Sequence, residues 1–159
     1  MSSLDILAND TDSDIATKTA ARGLAFRIKD TGFIITLISL HKMFSVAGPV
    51  TRQLQGIAMD LAIASQLVAT CRQKFESMRS GVDNIWLNVL KRAREFITKH
   101  KLTWSITERK GAKKMAGETS IDETSSAEER LKVGMFVPVL DALGRQLEDR
   151  FSDDQAQLL

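Results

Sequence analysis

From residue 61 onward, apolar and small residues recur at steps of three and four: Leu61, Ala64, Leu67, Val68, Cys71 and Phe75. That spacing places all six on one face of a helix. A second run with the same period is Ile85, Trp86, Val89, Leu90, Ala93 and Ile97, with Lys91, Arg92, Arg94, Glu95 and Lys99 largely off the stripe. Alternation with a period of two, the mark of half-buried strands, is not what these segments show. Pro49 and Pro138 are the only two prolines in 159 residues, so little in the chain breaks helices. The expected fold is all-α, an irregular bundle of five to six helices with a long flexible loop at about residues 102–127.

Local signals set the expected boundaries. Ser13 or Asp14 can cap a helix running to about Lys29, with Ile15, Ala20, Leu24 and Ile28 as its apolar positions. The next helix, from about Phe33 to Val46, is apolar around much of its circumference and is expected at the centre of the core. Gly48-Pro49 reads as a break, followed by a short helix over 50–55 ended by Gly56. A helix from about Ile57 to Ser80 should end on Gly81, and Asp83 is placed to cap the one that follows, to about Lys101. Ser126-Ala127-Glu128-Glu129 has the form of a capping box, and Pro138 should kink the last helix or mark its start. Residues 1–13 are expected to be a frayed N-terminal segment, 14–151 a single helical domain that includes the basic and polar linker 102–127, and 152–159 an acidic tail.

Several chemistries find no support in the residues. One cysteine, Cys71, cannot form an internal disulfide, and with only His41 and His100 it falls short of a zinc set. The apolar stretch from Phe33 to Leu40 is shorter than the roughly 20 residues a bilayer requires, and the acidic, lysine-free first 14 residues are unlike a secretory leader. A soluble intracellular chain is expected, with no membrane association and no cofactor. No Ser, His and Asp set points to nucleophilic catalysis. Of the carboxylates, Asp141 and Glu148 are two helical turns apart and could share a face, yet solvated surface acids fit them better than a two-metal site.

Charge is the one strong asymmetry. Residues 91–114 carry a net charge of +7, residues 115–159 a net of −6, and residues 1–90 a net of +1. In the basic stretch Lys99, Lys101, Arg109, Lys110, Lys113 and Lys114 flank Trp104. Cations can neutralise phosphates, and an indole can stack on an unpaired base. These seven residues are therefore the candidate nucleic-acid contacts, with DNA as the candidate partner. The competing reading is a solvated linker. Trp86, on an apolar stripe, is expected in the core.

The order of the short motifs resembles a known family. Phe33, Leu37 and Leu40 are followed by Pro49, Leu54-Gln55, Asp60-Leu61, Ala64, Leu67-Val68, Arg79 and Trp86. A later block comprises Phe136, Pro138, Leu140-Asp141, Leu147 and Arg150-Phe151. Together they resemble hAT-superfamily transposase-like proteins of the zinc finger MYM-type protein 1-like group, over about residues 20–151. The resemblance implies the all-helical insertion of a ribonuclease-H-like transposase core, a nuclear location and a role in holding DNA. It also implies a non-catalytic fragment of a domesticated transposon protein, because the family's metal-binding acidic residues fall on parts this sequence does not cover. The sequence departs from the pattern in having no tyrosine, with Leu131-Lys132-Val133 where tyrosines are usual. The alternative from another class is a helical protein-interaction module without nucleic-acid binding, associating with a protein partner or with itself through exposed apolar faces on 33–44 or 133–151.

Overall fold

The computed structural model describes residues 3–56, 60–106 and 126–150. Among them the fold is all-α: α1 (Ser3–Asn9), α2 (Ile15–Ile28), α3 (Thr31–Leu54), α4 (Leu61–Ser80), α5 (Val82–Lys99), α6 (Ala127–Leu131), a π-helical turn (Lys132–Phe136) and α7 (Val137–Arg150). α3 is the central element. It packs against both α4 and α5, α7 lies along α4, and α1 pairs with α2 beside the start of α3.

The helix starts follow from side-chain oxygens that accept the first free backbone N–H groups. Asp14 Oδ1 accepts from Thr17 N at 2.6 Å, Asp30 Oδ1 from Phe33 N at 3.0 Å, Asp60 Oδ1 from Ala62 N at 2.8 Å and Ser126 Oγ from Glu129 N at 3.1 Å. Asp83 is not a cap. α5 opens directly on Gly81, and Asp83 sits in its first turn, ion-paired with Lys132. Gly81 ends α4 as expected, its N–H donating to Ser77 O at 3.0 Å.

The expected break at Gly48-Pro49 does not occur, and α3 runs through it to Leu54. Gly48 has no Cβ to meet the proline ring, and Pro49 faces solvent. Val46, Ala47 and Val50 pack against the core on both sides of the proline, so tertiary contacts support the helix through it. Pro138 acts differently. It is the second residue of α7, and the π-helical turn immediately before it absorbs the mismatch between the two helical stretches.

The core is built from Ile34, Ile35 and Met43 of α3, Cys71, Phe75 and Met78 of α4, the Trp86–Ile97 stripe of α5, and Phe136 and Leu140. The rings of Trp86 and Phe136 meet at 5.4 Å between centroids, tilted by 53°. Val133, in the π-helical turn, is exposed. On α2 the expected apolar positions Ile15, Leu24 and Ile28 are also exposed, and the buried residues are Ala21 and Ala25. Small side chains let α1, through Ala8, approach α2 closely, which turns the larger residues outward.

Residues 102–106 are not helical, in keeping with the lost periodicity, but they are packed. Leu102, Trp104 and Ile106 alternate against the core. Fully buried Thr31 fixes this strap: its Oγ1 accepts from Ser105 N at 2.8 Å and donates to Thr103 O at 3.4 Å. The rest of the expected loop, residues 107–125, and the expected tail, residues 152–159, lie outside the described residues.

Candidate nucleic-acid interface

α5 buries Trp86, Val89, Leu90, Ala93 and Ile97 on one side. A helix that buries positions 86, 90, 93 and 97 must turn 88, 92, 95 and 99 to the opposite side. Asn88, Arg92, Glu95 and Lys99 are accordingly exposed, with exposed Lys91 beside them. Packing of α3 on α5 adds a cation from elsewhere in the chain. Lys42 joins Ile85, Asn88, Val89 and Arg92 around a shallow groove of ≈ 240 Å³.

At its end α5 turns into the strap through Lys101, whose φ of 54° is left-handed. Lys101 N donates to Thr98 O at 3.1 Å and Leu102 N to Ile97 O at 2.9 Å, the paired bonds of a Schellman motif with lysine at the position glycine usually holds. This turn leaves Lys101 exposed over a second groove, of ≈ 310 Å³, that it shares with Phe26, Lys29, Asp30, Leu102, Thr103 and Ser105.

Of the seven residues named from sequence, Lys99 and Lys101 lie together at this end of α5, both exposed. Trp104 is half-buried, packed on the core, with the Arg94 guanidinium 5.0 Å from its ring centroid. Arg94 also pairs with Glu128 at 2.9 Å, so one part of the indole is held under a tethered cation. Arg109, Lys110, Lys113 and Lys114 lie outside the described residues. Lys42, Lys91 and Arg92 were not among the contacts named from sequence, although Lys91 and Arg92 were placed off the buried stripe. The two on α5 could have been found from their place opposite the apolar stripe. Lys42 could not, because only the α3–α5 packing brings it there.

The opposite side of the bundle has a different electrostatic character. Between α4 and α7, Arg72, Arg79 and Arg145 line a groove of ≈ 530 Å³ together with Glu76, Asp141 and Glu148. Arg79 Nε lies 2.7 Å from Asp141 Oδ1, and Arg72 reaches Glu76 at 3.0 Å and Glu148 at 3.3 Å. Asp141 and Glu148 thus hold arginines, and the groove's three acids match its three arginines in number, although Arg145 forms no ion pair among the described residues. Among the described residues, no group of three or more His, Cys, Asp and Glu is placed to hold a metal ion. By contrast Lys42, Lys91, Arg92, Lys99 and Lys101 take part in no ion pair among the described residues.

Away from this surface, Cys71 and Lys132 have raised pKa values. Burial raises the pKa of the Cys71 thiol, partly offset by nearby Lys74. Hydrogen bonds to Asp83 and Glu129 raise that of Lys132, stabilising its charged form. Neither lies on the α5 surface.

No protein-family model, curated protein or solved structure matches this chain.

Proposed function

We propose that this chain is a non-catalytic helical piece of a transposase-derived nuclear protein, and that it associates with DNA through the outward side of α5 and the basic segment after it. One observation carries the reading. On the α4/α7 side Arg72 and Arg79 are paired with carboxylates, whereas Lys42, Lys91, Arg92, Lys99 and Lys101 around α5 form no ion pair among the described residues, and Glu95 is the one acid on the outward side of that helix. Unneutralised cations on a rigid helix can displace counterions from a phosphate backbone. In sequence, Arg109, Lys110, Lys113 and Lys114 follow the strap, so the basic residues of 91–114 fall within one stretch of chain. Lysine and arginine contacts to phosphates carry no sequence information directly, so contact is expected to be mainly with the backbone. Pairing of Asp141 and Glu148 with arginines favours the non-catalytic part of the proposal.

A salt titration tests it. Contacts to about five phosphates should weaken duplex binding by about 10² to 10³ between 50 and 200 mM salt. Changing Lys110, Lys113 and Lys114 to Ala should flatten that slope. Absence of binding at low salt would sink the proposal.

A second reading, a helical protein-interaction module, is favoured by one specific observation. Phe33, Leu37 and Phe44 stand 44%, 56% and 55% exposed on the helix that also forms the middle of the core. Pull-down that survives high salt and needs these residues would support it over DNA contact.

A further inference from the structure

α3 has two apolar faces. Thr31, Ile34, Ile35, Ser39 and Met43 face the core. Directly opposite, Phe33, Leu37, Leu40 and Phe44 follow one another at steps of four, three and four. Leu40 is half-buried and the other three are exposed. By length and composition α3 would pass for a membrane-crossing helix, a test that core helices of water-soluble proteins also pass. The open stripe is more particular than general apolarity. Its spacing is that of a heptad seam, which packs against another helix at a shallow angle.

Its order is also palindromic: Phe, Leu, Leu, Phe reads the same in both directions, and so do the gaps. A twofold interface is self-complementary, so residue i of one copy meets j of the other and j meets i. An antiparallel pair of α3 helices centred between Leu37 and Leu40 sets Phe33 against Phe44 and Leu37 against Leu40 at once. The charges permit it. The α3 stretch 31–51 contains no acid, and its one lysine, Lys42, lies off the stripe beside α5, so the seam itself carries no like-charge contact. Thr36 would fall opposite His41, and Gly48 and Ala47 would leave room for the start of the partner helix.

We infer that the occupant of this face is a second copy of the chain, joined through an antiparallel α3–α3 seam. The stripe is about 17 Å long at 1.5 Å per residue. Its four side chains are far fewer than the about 20–30 residues a side of a standard stable interface, so the dimer is weak.

Sedimentation equilibrium of the full chain from about 5 to 500 µM tests this. The weight-average mass should rise from 17.6 kDa towards twice that value. Leu37→Glu should weaken dimerisation at least tenfold with the far-UV circular dichroism unchanged, and Phe44→Gln serves should the first variant fail to fold. An equimolar mixture of Leu37→Glu and Leu40→Lys should form a heterodimer although neither variant dimerises alone, since only the antiparallel register sets 37 against 40. A monomer throughout the range, a dimer indifferent to both variants, or a monomer that instead co-sediments with phosphatidylcholine vesicles would overturn the inference.

Discussion

Arg79 Nε sits 2.7 Å from Asp141 Oδ1, tying α4 to α7 across residues 62 positions apart in sequence. Asp141 was the carboxylate that, with Glu148, came nearest to a metal site in the sequence, and its partner is a guanidinium. Both groups are about half exposed, which keeps the pair weak: exposed ion pairs contribute ~0.2–1 kcal/mol. Asp141→Asn is therefore expected to lower urea-unfolding stability by less than ~1 kcal/mol. Titrated magnesium or manganese should stabilise the wild type and the variant equally little. A metal-dependent rise in melting temperature lost in the variant would show that Asp141 is a ligand after all.

The Trp86–Phe136 contact joins α5 to the π-helical turn inside the core. Truncating either ring to Ala should cost about 3–5 kcal/mol, a large part of the stability of a domain this size. A double-mutant cycle read by chemical denaturation should give a coupling of about 0.5–1.5 kcal/mol, the usual range for an aromatic pair. Leu87→Ala, one residue away and exposed, should be close to neutral.

How far the sequence reaches differs between elements. The α5 stripe is fully legible, because a long amphipathic helix writes its buried face into the period of its apolar residues. α2 is not. Its large apolar residues mark the exposed side, and Ala21 and Ala25 the buried one, so hydrophobicity points the wrong way where close helix approach decides the packing. Pro49 gives a break signal that Gly48 and the flanking core contacts cancel. In the candidate interface, Lys99 and Lys101 are legible as charge, and the conformation of Lys101 and the arrival of Lys42 are products of tertiary structure.

Lys101 holds a left-handed backbone that costs a side chain about 1–2 kcal/mol relative to glycine. Lys101→Gly should therefore raise the stability of the fold by about 1 kcal/mol in thermal unfolding. The same change removes a cation from the α5 end and should weaken DNA binding at low salt. A stabilised variant with undiminished DNA affinity would remove Lys101 from the interface.

Thr31 anchors the strap that carries the chain away from α5. Thr31→Val leaves the Ser105 N–H without its 2.8 Å acceptor. The expected cost is about 1–3 kcal/mol where that group stays out of water. Amide exchange at Ser105 should accelerate in the variant while the amides of the α5 core, such as that of Ala93, keep their protection. Equal acceleration at both would mean that Thr31 supports the whole bundle and not the strap alone.

Burial raises the pKa of the Cys71 thiol, and the residue is 1% exposed. A raised value means less thiolate at any pH below it. Native protein should resist iodoacetamide at pH 8 and react promptly in urea, followed by mass spectrometry. Prompt native labelling would place Cys71 outside the core.

DNA association through α5 is tested most directly by comparing two charge-removal variants at low salt. One carries Lys42, Lys91 and Arg92 changed to Gln; the other carries Arg72 and Arg79 changed to Gln. Loss of unpaired cations should weaken duplex binding strongly and reduce the steepness of its salt dependence by about three phosphate contacts. Loss of the neutralised arginines should leave both nearly unchanged. Equal effects from the two variants, or none from the first, would contradict an interface on α5.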